Sequence, residues 1–133
     1  MTFEKHCAER FGGTAVLWGQ VVNGPIRLVP SMRCCFIGDR QIKLSPKETC
    51  LLEQVMKRPG EAISCEEIWQ NCWGNSEVNL TAIRLHFSHI RDRFKSAGIQ
   101  GNLIMAFNRK GYGIRDCRHG IKSEDLFVSK ITR

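Results

Sequence analysis

The 133-residue chain is long enough for one domain with a modest hydrophobic core. Its composition is that of a globular protein, and it holds neither the roughly 18–20 apolar residues of a membrane span nor the apolar region of a signal peptide. The net charge is +7, and residues 79–133 hold eleven of the 20 basic residues but only four of the 13 acidic ones. This basic part suggests nucleic acid, an anionic membrane surface or an acidic partner, and charge alone does not exclude a merely solvated surface. The expected compartment is the cytoplasm.

The first 44 residues contain short apolar stretches separated by turn residues. The pair Gly38-Asp39 separates two of these stretches and is typical of a tight hairpin turn. The pattern predicts a small antiparallel sheet before residue 45. Its predicted strands are "TAVLWGQVV", "IRLVP", "RCCFIG" and "RQIKL".

Two helices are predicted next, because both begin with a capping signal. Ser45 is a good N-cap, Pro46 suits the first helical position, and Glu48 completes an S-x-x-E capping box. Ser64 and Glu67 form a second box in "SCEEIWQNCW". This second helix is short and is expected to end before Gly74.

A third helix has the clearest apolar periodicity. Its apolar residues recur at steps of three and four, which places them on one face, and Gly98 is the expected C-cap. The stripe consists of Leu80, Ile83, Phe87, Ile90, Phe94 and Ala97. Two strands, "NLIMAF" and "YGIRDC", follow and are joined by "NRKG". The order predicts an α+β winged helix-turn-helix with an N-terminal antiparallel sheet, three helices and a C-terminal β-hairpin wing.

The solvent face of the third helix mixes cations with short polar and apolar side chains. Cations suit phosphates, and the shorter groups suit base edges in a major groove. One flank presents Arg84, Ser88, Arg91 and Lys95, the other presents His86, His89 and Arg93, and the outermost line holds Thr81, Leu85, Ser88 and Asp92. Ser88, His89, Leu85 and Arg84 are the expected base readers.

Residues from about Ile26 to Ile114 resemble the OmpR/PhoB-type winged-helix effector domain. The resemblance rests on "IKLSPKETCLLEQVMKRPGEAISCEEIWQNCWG", "IRLHFSHIRDRF" and "LIMAFNRKGYGI" in that order. It implies a third helix in the major groove of DNA and a wing on the minor groove or its phosphates. It also implies dimeric or tandem binding, and contact with RNA polymerase through the loop Trp73–Asn79. His86, Ser88 and Arg91 match the family's helix, whereas His89 replaces an Arg and Arg84 replaces an Asp.

The chain also departs from the family pattern. The wing's usual R-G-x-G-Y is replaced by "NRKGY", which starts at Asn108 and keeps positive charge at the tip. Only 44 residues precede Ser45, too few for a phosphorylatable receiver domain. The membrane-anchored ToxR-like branch should continue into a transmembrane helix, which is missing here. The chain is therefore expected to be a stand-alone regulator or part of a longer one.

These observations predict a DNA-binding transcriptional regulator, at the nucleoid, with double-stranded DNA as its partner. The predicted limits are an N-terminal extension joining the sheet (1–25), the winged helix (26–116) and a C-terminal tail (117–133). The alternative is a winged-helix module that binds a regulator or polymerase without DNA. The predicted DNA-binding residues are Thr81, Arg84, Leu85, His86, Ser88, His89, Arg91, Arg93, Lys95, Asn108, Arg109, Lys110 and Tyr112.

Neither the cysteines nor the histidines predict catalysis or a cofactor. Seven cysteines without a C-x-x-C pair are expected to be reduced structural thiols, with one of Cys34 and Cys35 inward and the other outward. A thiol redox sensor remains a third class. His86 and His89 have a spacing that two metal ligands on one helix can share, but no third ligand is visible, so no metal site is expected. No nucleophile–base pair or phosphate-binding glycine loop indicates an enzyme.

Overall fold

The first half of the fold is an antiparallel sheet. The structure, a computed structural model, describes residues 15–17, 19–74, 77–107 and 110–128. Five strands pair in chain order: β1 (Ala15–Leu17), β2 (Gln20–Asn23), β3 (Ile26–Val29), β4 (Cys34–Ile37) and β5 (Arg40–Lys43). The predicted sheet is therefore confirmed. The prediction of one strand across "TAVLWGQVV" is wrong, because Leu17 pairs with Gln20 across a turn in which Gly19 has a φ of +77°.

Three helices follow the sheet: α1 (Pro46–Met56), α2 (Cys65–Cys72) and α3 (Leu80–Ser96). The capping box of α1 is complete, as predicted, with Ser45 and Glu48 each accepting from the other's backbone N–H. The box of α2 is only half formed. Ser64 Oγ accepts from the backbone N–H of Glu67 at 3.1 Å, but the Glu67 carboxylate accepts from Arg58 at 2.8 Å instead. Arg58 also donates to Glu61, so this one cation pairs with an acidic residue of the α1–α2 connection and with one of α2.

The apolar face of α3 lies against the core. Ile83, Phe87, Ile90 and Phe94 are fully buried, as their spacing predicts. Leu80 is an exception, since 55% of it is exposed. It occupies the first turn of α3, immediately after the Asn79 N-cap, and the stripe reaches the core only at the next turn.

A β-hairpin wing follows α3. The backbone passes the predicted C-cap Gly98, at φ +83°, and a 3₁₀ turn at Gly101–Leu103. Strands β6 (Ile104–Phe107) and β7 (Gly111–Ile114) then pair in antiparallel register. Because β7 also pairs with Ile63, which precedes α2, the wing is joined to the helical body. Among the described residues, no helix has both the length and the apolar character to cross a bilayer.

The C-terminal segment packs on the body as well. A short helix, α4 (Ser123–Leu126), buries Leu126, whose carbonyl accepts from the backbone N–H of Gln100 at 2.9 Å. The next residues return to the end of α3, where Val128 N–H donates to the Gly98 carbonyl at 2.7 Å. The domain limits predicted from the sequence remain predictions.

Two expectations about cysteines are wrong. Cys50 on α1 and Cys72 on α2 form a disulfide rather than two reduced thiols. The packing of the two helices brings the Cα atoms of these cysteines to 5.8 Å, which is within disulfide range. Cys34 and Cys35 point to opposite faces of β4 as predicted, but both are buried, so the expectation that one of them is a surface residue is wrong. Cys35 belongs to the core, whereas Cys34 lies on the other face of β4, where the Gln41 side chain donates to its sulfur at 3.3 Å.

Asn23 at the end of β2 ties the sheet to the segment after the wing. Its buried side chain donates to the Arg115 carbonyl at 2.8 Å and accepts from the Cys117 N–H at 2.9 Å. Backbone groups that lose their partners inside a protein cost free energy, because water does not replace the lost bond.

Asn23→Ala is therefore expected to lower the free energy of unfolding by about 1–3 kcal/mol. Urea denaturation at constant protein concentration measures this loss as a lower midpoint. Asn102→Ala is the matched control, since Asn102 is exposed and its replacement should change stability by less than about 0.5 kcal/mol. Equal midpoints for the two variants would contradict a structural role of the Asn23 side chain.

Candidate nucleic-acid interface

The predicted DNA-binding residues on α3 differ in exposure. Three of them, His86, Ser88 and Arg91, are half-buried. In the wing, Lys110 is exposed and Tyr112 is half-buried. The predictions for Asn108 and Arg109 lie outside the described residues. The exposed members on α3 are Thr81, Arg84, Leu85, His89, Arg93 and Lys95.

An open cleft separates the first turns of α3 from the wing. Its volume is about 430 Å³. Arg84 lines it from α3, Lys110 from the wing, and Ser64 from the N-terminal end of α2. Two exposed cations from different elements therefore border one depression, next to a helix N-terminus, and such ends favour anions.

The wing is held against α3 by packing and by a charged side chain. The ring of Tyr112 stacks on that of Phe87, with centroids 4.4 Å apart and planes inclined by 13°. Arg91 donates to the Ile104 carbonyl through Nε at 3.4 Å and Nη2 at 3.2 Å. Arg91 thus joins α3 to β6, a role that its sequence position did not indicate.

Glu48 is a buried charge that sequence reasoning treated only as part of a cap. Its side chain is 3% exposed. Oε1 accepts from the Ser45 backbone N–H at 2.9 Å and pairs with Arg93 Nε at 2.6 Å. Oε2 lies 3.9 Å from Nδ1 of His89. One carboxylate at the start of α1 therefore contacts two side chains of α3 that were predicted to contact DNA.

His86 lies near this carboxylate and packs close to Trp73, the C-cap residue of α2. Its ring is 5.7 Å from that of Trp73, which stacks on Trp69 and lies under the Lys47 ammonium at 4.7 Å. Burial lowers the pKa of the His86 imidazole, and His89 acts in the same direction. The neutral ring thus predominates near pH 7. Its Nδ1 is buried and has no hydrogen-bond partner among the described residues.

The expectation that no metal site exists was based on a missing third ligand. The structure brings a third candidate ligand from another element: Glu48, His86 and His89 each have an atom that could bind a metal ion, and these atoms lie within 4.8 Å of one another. Sequence spacing did not reveal the cluster, because Glu48 and the histidines come together only when α1 packs on α3.

The sheet, the three helices and the hairpin, with a basic helix and an adjoining wing, define a winged helix-turn-helix domain. The chain belongs to the OmpR/PhoB-type effector family, whose model, described as "Transcriptional regulatory protein, C terminal", matches residues 39–114. This is a family of transcriptional regulators rather than of enzymes.

Relatives support this assignment. The chain is 34% identical over 76 residues to Protein PsaE of Yersinia pseudotuberculosis, covering 57% of this chain and 35% of PsaE. It is 28% identical over 96 residues to the response regulator protein PmrA of Pseudomonas aeruginosa, covering 71% of this chain and 41% of PmrA. The match thus spans about two-fifths or less of the length of these relatives.

Solved structures share the fold. The DNA-binding domain of E. coli CadC superposes with a TM-score of 0.61 at 24% identity, over 72% of this chain and 91% of that one. The DNA-binding domain of Klebsiella pneumoniae RstA, in complex with the RstA box, gives 0.63 at 16% identity over 73% and 97%. At these identities the likeness establishes the fold alone.

Proposed function

We propose that this protein is a sequence-specific transcriptional regulator that binds double-stranded DNA. In this proposal α3 enters the major groove, and the wing lies on the minor groove or its phosphates. The observation that carries the proposal is the cleft bordered by Arg84 of α3 and Lys110 of the wing. A duplex seated there meets cations from both elements at once, although the acidic side chain of Glu66, in the first turn of α2, also lines the cleft.

Family relatives add support. RstA was solved with its box, and the AdeR DNA-binding domain was solved with an intercistronic region. On this basis His89, Ser88 and Leu85 are proposed to meet base edges, and Lys95 and Lys110 to meet phosphates. Arg84, which the sequence predicted as a base reader, borders the cleft with Lys110 and is proposed to meet phosphate instead. Such a regulator acts at the nucleoid in the cytoplasm. A homodimer on DNA, and a polymerase contact through Trp73–Asn79, remain predictions, and residues 75 and 76 of that loop lie outside the described residues.

The proposed interface predicts a specific electrostatic signature. Arg84→Ala combined with Lys110→Ala should weaken DNA binding and make the salt slope shallower by roughly 1–2, because each lost phosphate contact removes about 0.9 from the slope. The melting temperature should hardly change, since exposed cations contribute little to folding. The measurement is fluorescence anisotropy over a salt series, with a duplex selected from a randomised library and a scrambled duplex.

A charge-matched control separates contact from net charge. Arg27→Ala with Lys122→Ala removes two exposed cations, one from the outer face of the sheet and one from the C-terminal segment. This variant should keep the wild-type slope. If both double variants lose the same amount of affinity, binding reflects overall charge and the interface proposed here is wrong.

A protein-binding module without DNA binding is the second candidate. It is favoured by two apolar side chains that α3 leaves exposed: Leu80, which lines the cleft and is 55% exposed, and Leu85, which is 51% exposed. The same anisotropy experiment separates the two functions. Salt-sensitive retention of DNA supports the first, whereas no retention at low salt supports the second.

A further inference from the structure

The cluster of Glu48, His86 and His89 combines two imidazoles and a carboxylate from two packed helices. We propose that these side chains bind one divalent transition-metal ion of the zinc class, and that the bound ion draws His89 away from DNA. The proposed metal site rests only on the positions of these three side chains. Only its effect on DNA rests on the proposed function.

The donor set suits such an ion. Imidazole nitrogen with carboxylate oxygen is a ligand combination for zinc and its neighbours, and three protein ligands leave one position for water. Ligand atoms about 2.0–2.2 Å from one tetrahedral ion lie roughly 3.3–3.5 Å apart. The present separations extend to 4.8 Å, so a modest closure is needed. His89 can supply most of it by a change of rotamer, because its side chain is about half exposed.

Glu48 is already oriented as a metal ligand would be. Its Oε1 accepts from Ser45 and Arg93, and this leaves Oε2 on the side of His89. Hydrogen-bond donors that hold a ligand in place are the usual surroundings of protein metal sites. The Arg93 guanidinium repels a cation, but its side chain is 43% exposed, so water screens the repulsion.

His86 supplies an independent observation. Its Nδ1 is the one buried side-chain nitrogen or oxygen without a partner among the described residues. An unpaired buried polar atom costs free energy, and most such atoms in proteins have a partner. An ion held by His86 lowers this cost, whether it binds Nδ1 directly or binds the other nitrogen after the ring turns.

The site shares one residue, His89, with the proposed DNA-binding surface. His89 is a proposed base reader and a proposed metal ligand, and its imidazole cannot do both at once. An ion that holds His89 against the N-terminal end of α1 removes it from the DNA face. Metal and DNA are then negatively coupled, and each lowers the affinity of the other by the same factor.

Cobalt(II) tests the metal site directly, because its visible absorption reports tetrahedral ligation and a thiolate ligand adds an intense near-ultraviolet band. The wild-type protein, His89→Gln and the control His119→Gln are titrated in parallel; His119 is exposed and outside the cluster. Wild type and His119→Gln should bind one Co²⁺ without the thiolate band, and His89→Gln should bind it at least about tenfold more weakly. Zn²⁺ should raise the melting temperature of the first two proteins more than that of the third. Equal affinity in wild type and His89→Gln, or binding accompanied by the thiolate band, overturns the site.

A second arm tests the coupling. Anisotropy with the selected duplex, at fixed ionic strength with and without Zn²⁺, should show about a fivefold or larger loss of affinity in wild type and none in His89→Gln. An unchanged affinity in metal-loaded wild type overturns the coupling. If no duplex is retained with or without Zn²⁺, the proposed function fails, and the cobalt titration alone decides the metal site.

Discussion

Replacing Phe87 with alanine should lower the free energy of unfolding by about 3–5 kcal/mol, the largest loss expected from a single truncation in this fold. The ring is fully buried in the middle of α3 and stacks on Tyr112 of the wing. Truncation removes apolar contacts on both sides and leaves a cavity between helix and hairpin. Small domains are stable by only about 5–15 kcal/mol, so a domain at the lower end of that range should be largely unfolded at 37 °C.

Equilibrium urea denaturation followed by circular dichroism measures this effect. Leu85→Ala is the matched control, because it removes a large apolar side chain from the same helix at an exposed position and should change stability by less than about 0.5 kcal/mol. Phe87→Leu keeps much of the volume and should fall between the two. If Phe87→Ala were as stable as Leu85→Ala, α3 would have to face the core with its other side.

Gly111→Ala is expected to cost about 3–4 kcal/mol and to detach the wing. Gly111 has a φ of +123°, and a Cβ there would come within 1.8 Å of the Ile63 carbonyl oxygen. That carbonyl accepts from the Tyr112 N–H at 3.0 Å, so relief of the overlap breaks the bridge between β7 and the residue before the Ser64 N-cap. The variant should also lose more DNA-binding affinity than its unfolded fraction accounts for, because the folded molecules lack a positioned wing.

Gly120→Ala is the control for this substitution. Gly120 also has a positive φ, +77°, but a Cβ there meets no atom within 4 Å. Gly120→Ala should therefore lower the free energy of unfolding only through the unfavourable positive φ, by about 1 kcal/mol. Denaturation midpoints and anisotropy on the selected duplex measure both variants. A wild-type midpoint for Gly111→Ala would mean that β7 does not lie against Ile63.

Local signals explain why much of the fold was predictable. The Ser45 cap, the buried stripe from Ile83 to Phe94 and the C-cap at Gly98 act within one or two helical turns, so periodicity and capping preferences locate them directly. The predictions were wrong where contacts with residues distant in sequence determine the position of a side chain. Leu80 has the spacing of a core residue, but it is exposed because it lies in the first turn of α3. Glu67 has the spacing of a capping box, but its carboxylate accepts from Arg58 instead of from the N-cap backbone.

The candidate site was less predictable for the same reason. Arg91 and Arg93 both read as phosphate contacts on a basic helix face. In the structure Arg91 holds a wing carbonyl and Arg93 pairs with a buried carboxylate of α1. The disulfide between Cys50 and Cys72 likewise depends on how two helices pack. None of these partners lies within one helical turn of the residue concerned, and no periodic pattern marks them.

The bond from Arg91 to the Ile104 carbonyl, described above as a link between α3 and β6, also bears on how a duplex is chosen. Together with the Phe87–Tyr112 stack, it sets the spacing between helix and hairpin before any ligand arrives. In the proposed mode of binding the protein has little left to order, and the duplex has to adapt its groove widths to that spacing. Bases that no side chain touches then contribute to selectivity through the stiffness of their steps.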